Sequence, residues 1–533
     1  MIAQTDNSVE LRRQAMQANF DRQQSSADRN RLGQFATPRA LAIEITEQLA
    51  ALLPIETFPI RFADPSIGLG SFFSAALSIF GRQRIASAMG IEIDAALCHA
   101  ARDIWADTGL AVVCEDFTRF VASTMCPSAP NIVLANPPYV RHHHIERREK
   151  ERLQALVLER TGVKVSGLTG LYVYFLLLTT SWMEEGGHAG WLIPSEFMDV
   201  NYGAALKTFL LNSVSLIRVH RFDPRNPQFK DAMVSSAVLF FKKTAPGADH
   251  TVQFTFGDSL VHPAATETIS RCRLINARKW TAYPQSRNQE CTSHVASGGT
   301  TLGDFFRIKR GIATGGNKFF IIDRADAHKR GIPTQFLRPI LPSPRQLQPT
   351  VIEVDGDGFP NLPGQLVLID CDVPEPLVEL RYPALWRYLS GPDSLVVRNG
   401  YLVGKRYPWY AQEQRDPAPF LCTYMGRGSD ENKPFHFIWN RSQAVATNLY
   451  LMLYPRGNLA AILRRQPEMA SEVFKMLGDI PGHELRGEGR VYGDGLHKIE
   501  PKELARISAD SFIRRWPELA TGTQEQYSLS LFR

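Results

Sequence analysis

Between residues 41 and 245, two patterns of apolar residues alternate along the chain. Stretches with apolar residues every three to four positions predict helices, and short runs rich in β-branched residues predict buried strands. Helices are predicted at 41–52, 71–80, 95–107, 171–183 and 203–212. Strands are predicted at 60–64, 87–93, 110–116, 131–135, 189–194, 216–222 and 235–243. Alternation of this kind predicts an α/β fold with a doubly wound parallel sheet.

The last two predicted strands have no helix between them, so we expect them to pair antiparallel at one edge of the sheet. The segment 242–251 has the composition of a linker. Beyond it the alternation gives way to irregular segments rich in proline, glycine, aromatic residues and arginine. We therefore predict a polar helical arm at 1–30, an α/β domain at 31–245 and a mixed α+β domain at 246–533.

The charge balance and the cysteines add limits to this picture. Lysine and arginine together number 60 against 54 aspartate and glutamate residues, and the net charge of +6 is compatible with a polyanionic partner. The seven cysteines show no Cys-x-x-Cys spacing, which argues against structural zinc and a disulfide framework. No apolar signal region is evident, and the longest apolar run, 171–178, is too short to cross a bilayer. These features predict a cytoplasmic protein with no membrane partner.

One stretch, NIVLANPPYVRHHH at 131–144, joins a buried strand to a stiff polar loop. Residues 132–135 form a continuous apolar run, and Asn136 and two prolines end the strand at once. The Asn136 side-chain oxygen and the Pro137 carbonyl are two fixed hydrogen-bond acceptors, and Tyr139 offers a face for stacking. A plain turn would explain the Asn-Pro pair alone. The acceptors and the ring together indicate a flat ligand with an exocyclic amine.

The ends of the preceding strands carry residues that suit a nucleoside. DPSIGLG at 64–70 places glycines between a strand and a helix, where a ligand can approach the backbone. Glu92 follows about twenty residues later, where a carboxylate can accept hydrogen bonds from a ribose diol. Asp116 and Phe117 end the third strand and suit an adenine amine and its ring face. Because no phosphate-binding Gly-x-x-x-x-Gly-Lys-Ser/Thr loop is present, we predict S-adenosylmethionine as the cofactor.

Five motifs occur in a fixed order along the first half of the chain: GQFATP (33–38), DPSIGLGSF (64–72), GIEID (90–94), EDF (115–117) and NPPY (136–139). In this order they resemble the motifs of gamma-class DNA adenine-N6 methyltransferases of the TaqI type, from bacterial restriction-modification systems. The resemblance covers about the first 245 residues. It implies a Rossmann-like, S-adenosylmethionine-dependent methyltransferase sheet with an antiparallel edge strand, followed by a DNA target-recognition domain.

The resemblance also implies roles for individual residues. A flipped-out adenine would be held by the catalytic residues Asn136, Pro137, Pro138, Tyr139 and Phe229. The cofactor site would comprise Thr37, Asp64, Pro65, Gly68, Gly70, Glu92, Ile93, Asp116, Phe117, Asn136 and Phe175. Acceptors on Asn136 and Pro137 would aim the amine lone pair at the methyl group, so that direct transfer needs no strong base. Since N6 lies inside the duplex, the enzyme would have to flip the base.

Basic residues are candidate DNA contacts. Arg141 and His142 follow the catalytic loop and suit phosphates near an extruded base. The second half of the chain mixes basic and aromatic residues at 305–320, 381–389, 398–410 and 437–442. In these segments we predict DNA contacts by Arg310, Arg398, Lys405 and Arg406. No metal site is predicted, because the adjacent histidines 142–144 diverge and no second ligand cluster is evident.

The sequence therefore predicts a site-specific methyltransferase that acts on double-stranded DNA and is paired in function with a separate restriction endonuclease. An enzyme for a protein glutamine amide or an RNA base amine shares the NPPY chemistry and is the alternative. A fused methyltransferase-nuclease is disfavoured because no convincing Pro-Asp…Glu-x-Lys set is present. A non-catalytic DNA-binding protein is disfavoured by the intact motif set.

Overall fold

The fold was analysed in a computed structural model of the chain. It describes residues 2–23, 25, 29, 32–54, 59–120, 128–229, 235–284, 299–426, 434–492 and 496–522. The chain divides into two compact units. The first holds the described residues up to 284 together with Tyr492, and the second holds the other described residues from 299 onward. We refer to them as the N-terminal unit and the C-terminal unit.

The N-terminal unit is built on a sheet of nine described strands in the order β3-β2-β1-β4-β5-β7-β6-β8-β9. Only β7 and β9 run antiparallel to their neighbours. The predicted α/β fold with a mainly parallel sheet is confirmed. The strands are β1 Ile60–Asp64, β2 Ile85–Glu92, β3 Leu110–Cys114, β4 Ile132–Ala135, β5 His188–Pro194, β6 Ser215–Arg221, β7 Ser236–Lys242, β8 Thr251–Phe256 and β9 Ala265–Ser270.

Helices cover both faces of this sheet, and each face has its own apolar core. The helices are α1 Ile2–Gln23, α2 Arg39–Ala50, α3 Ser71–Phe80, α4 Ala95–Trp105, α5 Arg147–Thr161, α6 Leu171–Trp182, α7 Ala204–Asn212 and α8 Arg271–Asn276. Helices α2, α3 and α4 pack on one face, and α5, α6 and α7 pack on the other. The sequence pattern did not predict α5, because it is highly charged and buries only Leu153 and Val157.

The predicted end of this unit at residue 245 is wrong. β6 and β7 pair antiparallel as expected, but they do not form the edge of the sheet. β8 pairs parallel with β6, and β9 pairs antiparallel with β8. Val252 and Phe254 of β8 are buried in the core, so residues 251–270 belong to the sheet. The linker-like segment is the connection between β7 and β8.

The C-terminal unit mixes short helices with three small sheets, in the orders β10-β18-β15-β17-β13, β11-β14-β12 and β16-β20-β19. Its strands are β10 Phe306–Arg310, β11 Ile321–Asp323, β12 Leu337–Ile340, β13 Val351–Ile352, β14 Leu366–Ile369, β15 Phe420–Thr423, β16 Met425–Gly426, β17 Phe437–Asn440, β18 Tyr450–Pro455, β19 Arg490–Tyr492 and β20 Leu496–Lys498. Its helices are Leu302–Phe305, Asn317–Phe320, Arg324–Lys329, Glu375–Arg381, Pro383–Leu389, Asp393–Arg398, Gly457–Arg465, Ala470–Gly478, Gly482–Glu488, Pro501–Leu504 and Asp510–Arg515. Three apolar clusters form its core.

Candidate functional site

A cavity of about 540 Å³ opens at the carboxyl ends of β1, β2, β3 and β4. This edge is where ligands bind in sheets of this kind, because parallel strands all end on the same side. Most of the residues predicted for the cofactor line it, namely Thr37, Asp64, Pro65, Gly68, Glu92, Ile93, Asp116, Phe117, Asn136 and Phe175. The structure therefore brings together residues that are spread over more than a hundred positions of sequence.

Gly68 forms the tight turn between β1 and α3. Its φ is +53°, a left-handed conformation that favours glycine, and a Cβ here would meet no atom within 4 Å. The Gly68 N–H donates to Glu92 Oε2 at 2.9 Å, and Glu92 Oε1 accepts from the Asp94 N–H at 2.9 Å. The Glu92 carboxylate thus holds the glycine turn in place from the neighbouring strand.

Gly70 does not line the cavity and has a packing role instead. Its φ is +84°, and a Cβ would lie 2.5 Å from Trp105 Nε1. The Trp105 indole donates to the carbonyl of Leu69 at 3.0 Å. Glycine is required at position 70 because the α4 tryptophan packs directly against the backbone.

Two carboxyl groups are buried in the cavity wall. Asp64 is 2% exposed and Glu92 is 8% exposed. Burial, together with the nearby Glu92 charge, raises the pKa of Asp64 to about 8, against a lowering effect of hydrogen bonds from Ser66. Burial also raises the pKa of Glu92, although the N–H groups of Asp94 and Gly68 oppose the shift. At neutral pH the Asp64 carboxyl is mostly protonated.

The third strand end supplies a carboxylate and an aromatic wall. Asp116 Oδ1 accepts from the Thr118 N–H and from its hydroxyl, both at 2.8 Å, which fixes the side chain. The Phe117 and Phe175 rings lie 5.1 Å apart between centroids and are tilted by 42°. Both rings line the cavity. This wall can hold a planar ring whose donor groups reach Asp116.

Asn136 follows β4 directly, and its side-chain amide has a fixed orientation. Its Nδ2 donates to the Phe35 carbonyl at 2.7 Å and to Thr37 Oγ1 at 3.1 Å. Its Oδ1 is buried and accepts no hydrogen bond from any part of the chain that the structure describes. Leaving a buried polar atom unpaired costs about 1–3 kcal/mol, which native proteins avoid without a reason. Asn136 lines the cavity, so a ligand donor that reached this oxygen from the cavity would satisfy it.

The other predicted catalytic residues surround Asn136 but differ in their access to the cavity. Pro138 lines it, whereas Pro137, Tyr139 and Phe229 do not. Tyr139 is 7% exposed and Phe229 is 6% exposed. The Tyr139 hydroxyl donates to the Leu192 carbonyl at 3.2 Å. Burial raises the pKa of this hydroxyl, so it stays neutral.

Helix α1 contributes to the site in a way that the sequence pattern did not indicate. Glu10 and Arg13 form an ion pair at 2.8 Å, and both side chains are 3% exposed. Arg13 also donates to Ser71 Oγ at 2.9 Å, and Ser74 Oγ donates to Glu10 at 2.6 Å. The pair therefore fixes α1 to the first turn of α3, beside the glycine turn. The later part of α1 lines the cavity with the residues Gln17, Phe20 and Asp21.

The charge of Glu10 is retained despite its burial. Burial acts to raise the pKa of Glu10, but hydrogen bonds from Arg13, Ser74 and Gln14 outweigh it and hold this pKa below its usual range. At sequence level, Glu10 and Arg13 resemble an ordinary i,i+3 pair on an exposed helix. No signal in the sequence distinguishes a buried Glu10–Arg13 pair from an exposed one, because the burial comes from packing against α3.

The predicted DNA contacts of the N-terminal unit lie near the cavity. Arg141 is exposed and His142 is partly buried. They stand between Val140 and His144, both of which line the cavity. Within the described residues no group of three or more histidine, cysteine, aspartate or glutamate side chains is arranged to hold a metal ion.

The predicted DNA contacts of the C-terminal unit fall into two classes. Arg310 and Lys405 are exposed and lie over the rings of Tyr424 and Tyr401, at 3.9 and 4.0 Å from the centroids. Arg398 is partly buried and lies 4.5 Å from the centroid of the Trp409 ring. Arg406 is also partly buried, and its guanidinium donates to the carbonyls of residues 313 and 314 at 2.5 and 2.8 Å. Arg406 therefore stabilises a loop of its own unit.

Among the described residues, no helix combines the length and the apolar character that crossing a membrane requires.

Two protein-family models match this chain. One, described as the C-terminal domain of Type II methyltransferase M.Eco57I, matches residues 277–524. The other, described as Eco57I restriction-modification methylase, matches residues 131–229 and so includes both the Asn136 loop and Phe229. The first match lies mainly in the C-terminal unit, and the second lies in the N-terminal unit.

Relatives and solved structures agree with these matches. Type II methyltransferase M.XamI of Xanthomonas campestris pv. amaranthicola is 29% identical over 488 residues, which cover 89% of this chain and 86% of the relative. Type II methyltransferase M.AccI of Acinetobacter calcoaceticus is 23% identical, and the match covers 95% of this chain and 89% of the relative. The Type IIL restriction-modification enzyme MmeI, solved in complex with DNA, has the same fold over 87% of this chain and 64% of its own, with a TM-score of 0.53 and 12% identity. By its two family matches and its near full-length relatives, the chain is similar to the Eco57I-like Type II restriction-modification methyltransferases.

Proposed function

We propose that this protein is a gamma-class, site-specific DNA methyltransferase of the TaqI type, which transfers a methyl group from S-adenosylmethionine to N6 of a flipped-out adenine. The observation that carries this proposal is the Asn136 side chain. Its amide donors are taken up by Phe35 and Thr37, and its buried oxygen has no partner among the described residues. This oxygen lacks a hydrogen-bond donor, and the amine of a substrate base would supply one.

The chain supplies acceptors and orientation. Asn136 Oδ1 and the Pro137 carbonyl accept the two hydrogens of the amine, which turns the amine lone pair out of the plane of the base. No general base is needed at this position, since a neutral amide cannot take up the proton. The rate enhancement comes mainly from holding the amine in the reactive orientation. The proton of the amine leaves to solvent after the new N–C bond has formed.

S-adenosylmethionine fits the residues of the cavity, and it supplies an activated methyl group when bound. Phe117 and Phe175 offer an aromatic wall for an adenine ring, and Asp116 offers an acceptor for its amine. Glu92 is placed to accept from ribose hydroxyls, since each of its oxygens has used only one lone pair on a backbone N–H. The two buried carboxyl groups favour a ligand of positive charge.

We further propose that the C-terminal unit recognises the DNA sequence and that a separate restriction endonuclease cuts the unmethylated site. The DNA-contacting residues would include Arg141 and His142 beside the cavity and Arg310, Arg398, Lys405 and Arg406 in the C-terminal unit. Of these, Arg310 and Lys405 are exposed and lie over aromatic rings, an arrangement that suits phosphates and base edges.

The proposed function is tested by incubating the purified protein with labelled S-adenosylmethionine and duplex DNA, ribosomal RNA or release-factor protein in parallel. Label is expected in DNA alone, and single-molecule sequencing is expected to place N6-methyladenine at one position of a fixed sequence. Label in a cytosine, in RNA or in a glutamine side chain would refute the adenine assignment.

Replacing Glu92 by alanine is expected to weaken S-adenosylmethionine binding by about 10–100-fold, because the N–H groups of Gly68 and Asp94 lose their acceptor. Titration calorimetry measures the change. Glu115→Ala is the matched control, since Glu115 is an exposed carboxylate that also lines the cavity. Equal affinities for the Glu92 and Glu115 variants would contradict the assignment of Glu92.

Binding of S-adenosylmethionine at pH 7 is expected to release protons from Asp64. The pKa of Asp64 is about 8 in the free protein, so the carboxyl is mostly protonated below that pH. A cationic ligand stabilises the carboxylate, lowers this pKa and drives the proton off. Calorimetry in two buffers with different ionisation enthalpies counts the protons. Release should be smaller with S-adenosylhomocysteine, which lacks the sulfonium charge, absent in Asp64→Asn and absent above pH 9. Equal release in all cases would show that another group titrates.

A further inference from the structure

Three aromatic rings, Phe35, Tyr139 and Phe229, pack against one another beside Asn136. The centroid distances are 5.7 Å for Phe35–Tyr139, 5.5 Å for Phe35–Phe229 and 6.0 Å for Tyr139–Phe229. We call these rings the aromatic triad. Each ring touches the other two, so the triad is closed.

A flat base cannot fit between Tyr139 and Phe229 in this arrangement. Stacking one ring on each face of a base requires two van der Waals separations, which amount to about 7–8 Å between two parallel walls. The Tyr139 and Phe229 rings are only 6.0 Å apart and stand at 84° to each other. Their two faces therefore do not form the walls of an open slot, and the space beside them is filled by Phe35.

Phe35 is also the member of the triad that faces the cavity. It is partly buried and lines the cavity, whereas Tyr139 and Phe229 are buried behind it. A ring that enters from the cavity side and approaches Tyr139 must therefore displace the Phe35 side chain. The Asn136 side chain adjoins Phe35, because Asn136 Nδ2 donates to the Phe35 carbonyl, and Asn136 lines the same cavity.

The backbone around Phe35 is fixed, so the side chain is the part that can move. The Tyr139 N–H donates to the Gly33 carbonyl at 3.0 Å, and a Cβ on Gly33 would lie 2.4 Å from the Tyr139 nitrogen. Two residues beyond Phe35, the Thr37 hydroxyl accepts from Asn136. Rotation about the side-chain torsions moves the Phe35 ring between staggered positions without breaking either contact.

We propose that the Phe35 ring occupies the place of the substrate base in the free protein and swings out when the base enters. The inference rests on the proposed function, since it takes the ligand beside Asn136 to be a planar ring with an amine. Phe35 covers the apolar faces of Tyr139 and Phe229 until a base replaces it. It thereby selects for a ring that gains enough stacking energy and enough hydrogen bonding to Asn136 to displace it.

The test measures binding of the free base adenine by NMR, with the cofactor site filled by S-adenosylhomocysteine so that adenine cannot bind there. Removing the ring in Phe35→Ala exposes the Tyr139 and Phe229 faces and is expected to raise adenine affinity by about 10–100-fold over the wild-type protein, the range that stacking of one base supports. Phe35→Leu should give a smaller gain. The double variant Phe35→Ala, Asn136→Ala should lose most of the gain, since the amine acceptor is gone.

Phe120→Ala is the matched control, because Phe120 is a partly buried ring of the same unit that lies outside both the cavity lining and the triad, and no gain is expected from it. A Phe35→Ala protein that binds S-adenosylhomocysteine as the wild type does, yet gains no affinity for adenine, would overturn the proposal. If the Phe35→Ala protein does not fold, the same measurement is made on Phe35→Leu, and the absence of any gain in adenine affinity would again overturn the proposal. Failure of the proposed function would be recognised separately, as an absence of methyl transfer to DNA by the wild-type protein.

Discussion

Replacing Asn136 by alanine is expected to lower the single-turnover rate of methyl transfer by about 10²–10³-fold, the loss typical of removing one group that is aimed at the transition state. Most of the affinity for S-adenosylmethionine should remain, because the cavity is lined by many other residues. Rapid-quench measurements with labelled cofactor give the rate, and calorimetry gives the affinity. A near-normal rate in this variant would remove Asn136 from the mechanism.

Asn136→Asp separates two explanations of such a loss. Aspartate keeps an acceptor oxygen but cannot donate to the Phe35 carbonyl or to Thr37. If acceptance from the substrate amine is the essential role, the aspartate variant should retain clearly more activity than the alanine variant. If Asn136 served only to hold the loop that carries Phe35, the two variants should be equally slow.

Replacing Arg13 by alanine is expected to detach helix α1 from the cavity. Removing one partner of a buried ion pair destabilises by up to about 3–5 kcal/mol. Arg39 Nε lies 3.6 Å from Glu10 Oε1, but its side chain is 43% exposed, so it compensates the buried Glu10 charge only in part. Because α1 lies outside the sheet, we expect the lost stability to weaken the packing of α1 rather than to unfold the sheet. The affinity for S-adenosylmethionine should then decrease by about tenfold or more. Calorimetry measures the affinity, and hydrogen exchange of α1 measures its docking.

Arg12→Ala is the control for this prediction. Arg12 lies next to Arg13 on α1 but is exposed, and it donates to the Asp103 carbonyl at 3.4 Å. The Arg12→Ala substitution removes the same positive charge but leaves the buried Glu10–Arg13 ion pair intact. If the Arg12 and Arg13 variants bind the cofactor equally well, helix α1 plays no part in the cofactor site.

Much of the candidate cavity could be predicted from the sequence because its residues stand at the ends of strands. Apolar runs mark β1, β2 and β4, and Asp64, Glu92 and Asn136 stand where those runs stop. Parallel strands end at one edge, so their final residues must meet. The position of Asn136 also has a local origin, since the prolines that follow it end the strand and leave a stiff loop.

Other features depend on contacts between distant parts of the chain. The same spacing of Glu10 and Arg13 would be solvated on an exposed helix, and only the serines of α3 make it a buried pair. Gly70 looks like a ligand-binding glycine, but the packing of Trp105 accounts for it. Likewise, the short strands β8 and β9 follow a segment with the composition of a linker, and pairing with β6 brings them into the sheet.

The α/β class, the order of the strand ends and the residue types that they carry can be predicted from the sequence, because periodicity and strand termination are local properties of the chain. Contacts between distant residues make α1 part of the cavity wall, extend the sheet to residue 270, and bring Phe35 against Tyr139 and Phe229. Burial, side-chain packing and the pairing of distant strands set these features. None of them leaves a periodic signal in the residues that take part.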